Sequence, residues 1–114
     1  MIMLSERIIM ELTRKQKVIY ICHPYTGNEE FNRQDARKIA LKLKMQYPDS
    51  CIVNPLDLFY WTTGKLTYNE IIKMCLTILS HCDTIYLCKR WEKSHGCKIE
   101  FKQAILEKME VMKE

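Results

Sequence analysis

A glutamate and a serine–glycine turn near the C-terminus are the residues best suited to chemistry. Ser94 and Gly96 precede a helical pattern, and a hydroxyl with free backbone N–H groups at a helix N-terminus forms an anion site. Glu100 lies six residues after Ser94, just over one turn into that helix, between Ile99 and Phe101. We therefore expect Glu100 beside the anion-binding turn, facing the space above a sheet. The alternatives are a plain N-cap serine and a solvated helical glutamate.

Polar, glycine-bearing and aromatic residues are concentrated directly after three predicted strands. HPYTG follows the first strand, NPLD the second and KRWEKSHG the third. Ligands of open α/β sheets bind beyond the carboxyl ends of the strands, so these three segments are expected to form one site.

The aromatic and amide side chains of these segments have two interpretations each. Tyr25 and Trp91 could flank a flat ring such as a nucleobase, or could be half-buried at the bases of loops. Asn54 and Asp57 could hydrogen-bond a sugar, or could form the turn that ends a strand.

Hydrophobic periodicity predicts the elements that position these residues. The first strand is apolar almost throughout, which is typical of a strand covered on both faces in a parallel sheet. Strands that alternate with helices indicate such a sheet with right-handed crossovers. The predicted elements are helix 4–15, strand 17–22, helix 29–46, strand 51–53, an irregular segment with a helical turn at 56–65, helix 68–81, strand 83–88, helix 97–108 and a short strand 110–112.

The length indicates one domain over residues 1–114, with residues 1–16 as a helical extension that packs on its own domain or on a partner chain.

The 18 Lys and Arg against 14 Asp and Glu give a net charge of +4. This suits a phosphate-bearing ligand, whereas a binder of polymeric nucleic acid usually has stronger, clustered charge. No apolar stretch approaches the ~20 residues that span a bilayer, and a signal-peptide pattern is lacking. We expect a cytoplasmic protein without a membrane partner.

The cysteines lie in apolar runs, where a free thiol behaves as a small hydrophobic group. No CxxC pair occurs, and the neighbouring His and Cys residues match no common zinc module. We expect buried reduced thiols, no metal and no cofactor. The six cysteines are Cys22, Cys51, Cys75, Cys82, Cys88 and Cys97.

Three segments together resemble the nucleoside 2-deoxyribosyltransferase-like superfamily, and most closely its small phage and bacterial DUF4406-like members. They are KVIYICHPYTG with the following Asn32 and Ala36, VNPLD, and MCLTILSHCDTIYLCKRWEKSHGCKIEFKQA, over about residues 17–112. The resemblance implies a flavodoxin-like or Rossmann-like three-layer α/β sandwich. Its parallel sheet has about four strands, and the N-terminal helix is an addition.

The resemblance also implies an N-glycosidic hydrolase or transferase that acts on a deoxynucleoside 5′-monophosphate or a deoxynucleoside. Glu100 aligns with the nucleophile, which attacks C1′ as in retaining glycosidases. Ser94 and Gly96 align with a turn that holds the 5′-phosphate in nucleotide-hydrolysing relatives. The remaining expected substrate-binding residues are His23, Pro24, Tyr25, Thr26, Gly27, Asn32, Asn54, Asp57 and Trp91.

One departure favours a second hypothesis. Many active relatives carry an aspartate eight residues before the position of Asp83, where this chain has Cys75. A non-catalytic nucleotide-binding module, either a sensor or a sequestering protein, is therefore one alternative to an enzyme. A protein-interaction module that docks through the first helix is another. The family often completes its sites across a dimer contact, so we expect a homo-oligomer, and the first helix could supply that contact.

Overall fold

The structure is a computed structural model and describes residues 3–114. A parallel sheet with strand order β2-β1-β3-β4 lies at its centre. The strands are β1 (Lys17–Cys22), β2 (Ser50–Val53), β3 (Thr84–Leu87) and β4 (Glu110–Lys113).

Helices connect the strands in an alternating α/β order. Two single 3₁₀ turns, Tyr60–Thr62 and Trp91–Lys93, lie in the loops after β2 and β3. The α-helices of the described chain are α1 (Leu4–Leu12), α2 (Glu29–Gln46), α3 (Pro55–Leu58), α4 (Tyr68–Leu79) and α5 (His95–Leu106).

The alternation of side chains along β1 divides the core into two halves. Ile19 and Ile21 point to one face and pack with α2. Tyr20 and Cys22 point to the other face and pack with α4 and α5. The predicted three-layer sandwich is therefore confirmed, with α2 on one side of the sheet and α4 and α5 on the other.

β1 is also the point in the sheet at which the strand order reverses. The chain passes from β1 to β2 on one side and then returns to β3 on the other. In such sheets a crevice opens beyond the carboxyl ends of the strands at this position. Here β1 ends at Cys22 and β3 at Leu87, so a crevice is expected beyond these two residues.

Several element boundaries differ from the sequence prediction. The last helix begins at His95 rather than at 97, because the Ser94 side chain accepts a hydrogen bond from the backbone N–H of Cys97 and so begins the helix earlier. The first helix ends at Leu12, and α4 ends at Leu79.

The helix α1 packs against no other part of the described chain closely enough to bury a residue. Its apolar side chains Leu4, Ile8, Ile9 and Leu12 are between 50% and 78% exposed. Of the two positions that the sequence analysis left open, packing on its own domain is therefore not observed. Within residues 3–114, no helix is long and apolar enough to cross a bilayer.

Candidate active site

A cavity of about 330 Å³ opens beyond the carboxyl end of β1. The loop after β1 forms one wall, the segment from α3 to the start of α4 forms another, and the N-terminal turns of α5 complete it. The residues that line the cavity and carry a polar side-chain atom are His23, Tyr25, Thr26, Tyr60, Thr62, Thr63, Tyr68, Cys75, Ser94, Cys97 and Glu100.

Glu100 is the only carboxylate among the described residues that line this cavity. It lies in the second turn of α5 and is 6% exposed. The Tyr20 hydroxyl donates a hydrogen bond to Oε2, and the Cys22 thiol lies 3.4 Å from Oε1. The carboxylate is thus held in one orientation by two residues of β1, the strand beneath it.

Burial dominates the electrostatics of Glu100. Removal from water disfavours the charged carboxylate and raises its pKa from 4.5 to about 7, although the hydrogen bonds from Tyr20 and Cys22 act in the opposite direction. Near neutral pH the side chain therefore exists in both ionisation states. A carboxylate poised in this way can act as a nucleophile or exchange a proton.

The groups around Glu100 remain neutral hydrogen-bond donors at that pH. Burial, reinforced by the charge of Glu100, raises the pKa of the Tyr20 hydroxyl well above 10. The same two causes raise the pKa of the Cys75 thiol to about 12. Any negative charge at the centre of the site is therefore carried by Glu100.

A second, more open cleft of about 600 Å³ adjoins the cavity at the N-terminus of α5. Thr26, Tyr68, Ser94 and Gly96 line both spaces. The cleft adds the cationic side chains of Arg90 and Lys93, together with His95.

These basic groups surround the first turn of α5, where backbone N–H groups and the helix dipole favour an anion. Ser94 is the N-cap of this helix and also lines both spaces. Ser94 therefore caps the helix, as the alternative interpretation predicted. It also lies at the cleft, where the sequence predicts an anion-binding turn.

Gly96 allows α5 to approach α4 closely. A Cβ atom at this position would lie 3.0 Å from the Tyr68 hydroxyl oxygen and 3.1 Å from Cδ1 of Ile72. The absence of a side chain thus places the Tyr68 hydroxyl directly against the first turn of α5. Burial also raises the pKa of this hydroxyl.

The loop after β1 is fixed by buried polar contacts. The His23 ring lies between the Pro24 carbonyl and the Asp35 carboxylate, each 2.7 Å from a ring nitrogen. Asn32 donates to the Tyr25 carbonyl at 2.9 Å, while its buried Oδ1 has no partner in the described chain.

These contacts position the loop residues at the two spaces. His23, Tyr25 and Thr26 line the cavity, whereas Pro24, Thr26, Gly27 and Asn32 line the cleft. Gly27 has a φ of 103°, a left-handed conformation that glycine adopts without a steric penalty.

Three residues from the sequence analysis do not reach either space. Trp91 is partly buried against the core and packs on Phe101 with ring centroids 4.6 Å apart. Asn54 caps α3 by accepting a hydrogen bond from the Leu56 N–H. Asp57 accepts two hydrogen bonds from Arg37, at 2.8 and 2.9 Å. Each of these three residues therefore makes the structural contact, rather than lining the space for a ligand.

Two aromatic hydroxyls at the site, those of Tyr20 and Tyr68, were not among the predicted site residues. The alternation along β1 assigns Tyr20 to the same face as Cys22, and this signal was available. Its partner Glu100 lies 80 residues further along the chain, and no local pattern connects the two. Tyr68 follows the Thr67 N-cap as the first residue of α4, and only the close approach of α5 brings it to the cavity.

The fold and the site define a Rossmann-like α/β protein with a buried carboxylate near the capped N-terminus of a helix. The chain belongs to the DUF4406 family, a domain of unknown function, which it matches over residues 17–113. No curated protein matches the chain in sequence.

Among solved structures, the fold is similar to that of a 2-desoxiribosyltransferase from Leishmania mexicana, with a TM-score of 0.62 and 16% sequence identity. The similarity covers 85% of this chain and 63% of that protein, so this chain corresponds to less than two thirds of its structural relative. The predicted relationship to nucleoside 2-deoxyribosyltransferases is confirmed at the level of the fold.

Proposed function

We propose that this protein cleaves the N-glycosidic bond of a deoxynucleoside 5′-monophosphate or a deoxynucleoside, with Glu100 as the nucleophile. The observation that carries the proposal is a single buried carboxylate at the base of a cavity of about 330 Å³. This volume is in the range of small-molecule sites, about 300–1,000 Å³. The deoxyribosyltransferase fold of the structural relative supports the class of reaction but not the choice of substrate.

The reaction begins with attack of the Glu100 carboxylate on C1′ of the sugar. The C1′–N bond breaks, its electron pair leaves with the base, and the base nitrogen takes up a proton from solvent. A glycosyl ester on Glu100 results, as in retaining glycosidases. Attack of water on C1′ then releases the sugar and restores the carboxylate, whereas attack of a second base gives a new nucleoside.

Two residues of β1 hold the nucleophile for this step. Tyr20 donates to Oε2, and the Cys22 thiol points towards Oε1, so both oxygens have a fixed position. Holding a nucleophile in a single orientation lowers the entropic cost of reaching the transition state.

The cleft at the start of α5 is the proposed site for the 5′-phosphate. Arg90 and Lys93 supply positive charge at the cleft, and free backbone N–H groups at a helix N-terminus favour an anion. The shared lining residues Ser94 and Gly96 join this cleft to the cavity that holds Glu100. We accordingly propose a monophosphate as the preferred substrate.

Release of free base, measured by chromatography over a panel of deoxynucleosides and their 5′-monophosphates, tests the proposal. We expect release from at least one monophosphate, and a loss of at least about 1,000-fold in Glu100→Gln because the nucleophile is absent. Glu107→Gln, an exposed carboxylate at the end of the same helix, is the matched control and should retain full activity. Equal rates in wild type and Glu100→Gln would refute the assignment.

Cys75 favours a second candidate, a nucleotide-binding module without turnover. Its thiol is buried and lines the cavity, in a place where active relatives of the resemblance carry an acid. A thiol with a pKa of about 12 does not supply a second carboxylate. The module predicts thermal stabilisation by a nucleotide, corresponding to about 2.7 kcal/mol at 100-fold excess over Kd, with no base released over the same panel.

A further inference from the structure

We propose that Cys22, Cys97 and Glu100 form a binding site for a thiophilic divalent cation of the Zn²⁺ type. One donor atom from each residue lies within 4.8 Å of the other two, and all three residues are buried. Thiolate sulfur and carboxylate oxygen are both established zinc ligands. The spacing along the chain gave no zinc module, because Cys22 comes from the end of β1 and Cys97 with Glu100 from the first turns of α5.

The distance between the Cys22 sulfur and the Glu100 oxygen fits a tetrahedral ion. Zinc bonds of about 2.3 Å to sulfur and about 2.0 Å to oxygen place the two ligand atoms about 3.5 Å apart in a tetrahedron. The Cys22 sulfur lies 3.4 Å from Oε1 of Glu100. The cation would therefore replace the thiol proton that now lies between these atoms, while Oε2 keeps its hydrogen bond from Tyr20.

The fourth coordination position faces the cavity. Cys97 and Glu100 both line that cavity, whereas Cys22 is closed off behind them. Water or a donor atom of a bound molecule can therefore complete the tetrahedron, as in zinc sites with three protein ligands. The same opening supplies the path by which the ion enters.

The charge of the loaded site is compatible with its surroundings. Two thiolates and a carboxylate around a divalent cation leave a net charge of about −1, with the displaced protons released to solvent. The hydrogen bond of Cys22 with Cys97, together with burial, raises the pKa of the Cys22 thiol, so the cation has to compete with that proton. The N-terminal dipole of α5 and the nearby Arg90 and Lys93 favour the remaining negative charge.

Occupation of this site would also stop the proposed reaction, because the ion binds the carboxylate of the proposed nucleophile. This consequence rests on the proposed function, but binding itself does not. Metal binding and inhibition of the reaction are distinguished by two separate measurements, a spectroscopic one for binding and chromatography for base release. A protein without glycosidic activity would still show the spectrum of the bound ion.

Titration of the reduced, metal-free full-length protein with Co²⁺ at neutral pH is the direct test. Cobalt is a spectroscopic substitute for zinc, and thiolate ligands give it a near-ultraviolet charge-transfer band. We expect one equivalent to produce this band, together with the visible absorption of a tetrahedral ion, and Zn²⁺ to displace it. Absence of the band at one equivalent of Co²⁺ would overturn the proposal.

Variants assign the band to these residues. Cys22→Ser and Cys97→Ser should each reduce the affinity for Co²⁺ at least about tenfold and weaken the band, whereas Cys51→Ser, at an exposed thiol, should change neither. Glu100→Gln keeps both thiols and the volume of the side chain, so it should keep the band with at least about tenfold lower affinity. Circular dichroism identifies any variant that fails to fold. If the cysteine variants do not fold, the Co²⁺ affinity of Glu100→Gln decides whether the site exists. Unchanged affinity in Glu100→Gln, or loss of the band in Cys51→Ser, would contradict the site.

Discussion

Glu100 combines deep burial with two hydrogen bonds from a single strand. A buried carboxylate without hydrogen-bond partners would be neutral and free to change its orientation. In Glu100, the Tyr20 hydroxyl and the Cys22 thiol each donate a hydrogen bond to one carboxylate oxygen. The resulting pKa of about 7 lets the side chain ionise without a counter-ion inside the cavity. The opposing effects of burial and hydrogen bonding thus allow Glu100 to be ionised near neutral pH, as the proposed role of nucleophile requires.

The first prediction concerns the pH dependence of base release. Because the nucleophile is the ionised form, kcat/KM should rise with pH through about 7 and then level off. At about two pH units below that value, only about 1% of the carboxyl is ionised. The profile is measured by base release with a metal chelator present, and a rate independent of pH through this range would contradict the prediction.

A second prediction follows from the same burial and concerns stability. The pKa of Glu100 is raised from 4.5 in water to about 7 in the folded protein. Below 4.5 the carboxyl is protonated in both states. Between the two values only the unfolded chain loses the proton, so the free energy of unfolding falls as the pH rises, by about 3 kcal/mol in total.

Glu100→Gln removes this penalty. The variant should gain up to about 3 kcal/mol over wild type above the folded pKa and much less at acidic pH, as measured by urea unfolding. Glu107→Gln should show no such change with pH. An advantage of Glu100→Gln that does not grow from acidic to alkaline pH would show that the carboxylate is not desolvated.

At the scale of elements, the N-terminus of α5 brings together the cap, the basic groups and the proposed nucleophile. Ser94 caps the helix, Gly96 lets it approach Tyr68, and Glu100 projects into the cavity one turn later. One helix therefore sets the distance between the proposed phosphate site and the reacting carbon of the sugar.

The third prediction separates the cap from the anion site. Ser94→Asp keeps a side chain that caps helices as well as serine does, so the free energy of unfolding should change by less than about 0.5 kcal/mol. Its negative charge would repel a phosphate in the cleft. We expect kcat/KM to fall at least about tenfold for monophosphates and to change little for nucleosides, and an equal fall for both would contradict the assignment.

The sequence predicted the elements more completely than the contacts. The strand at 17–22 and the helix at 29–46 were predicted with their observed bounds, because apolar runs and periodicity are local signals. The place of Trp91 was not predictable, since Arg90 adopts a left-handed φ of 69° and begins a 3₁₀ turn in which Trp91 packs on Phe101. Such side-chain directions depend on tertiary packing.

At the scale of the whole molecule, the site is assembled from segments far apart in the sequence. The loop after β1, the segment around α3 and the start of α5 meet only because β1 lies at the centre of the sheet. Polar residues at the strand ends predicted this meeting place, which is a property of the topology. The depth of Glu100 and its bond to Tyr20 arise from packing between α5 and β1, and the sequence pattern could not supply them.

The exposed helix α1 gives a fourth prediction. Its aliphatic side chains are exposed, and it also carries charges of both signs, Glu6 and Glu11 with Arg7. A face of this kind is complementary to a second copy of itself in antiparallel orientation, so we propose that the chain self-associates through α1. Light scattering at micromolar concentration should give the mass of a dimer.

The variant Ile8→Gln with Leu12→Gln should give a monomer that keeps the circular dichroism spectrum of the folded chain, because neither side chain is buried within the chain. Leu106→Gln changes an equally exposed side chain on α5 and should remain dimeric. A wild-type monomer under these conditions would rule out the contact.

The most direct test of the central claim is the detection of the sugar on Glu100. Protein mixed with a deoxynucleoside monophosphate is quenched in acid within the first turnover, digested and analysed by mass spectrometry. We predict a deoxyribosyl 5-phosphate ester on the peptide that contains Glu100 and no adduct in Glu100→Gln. Free base released in that first turnover without modification of Glu100, or with an adduct on another residue, would contradict the account.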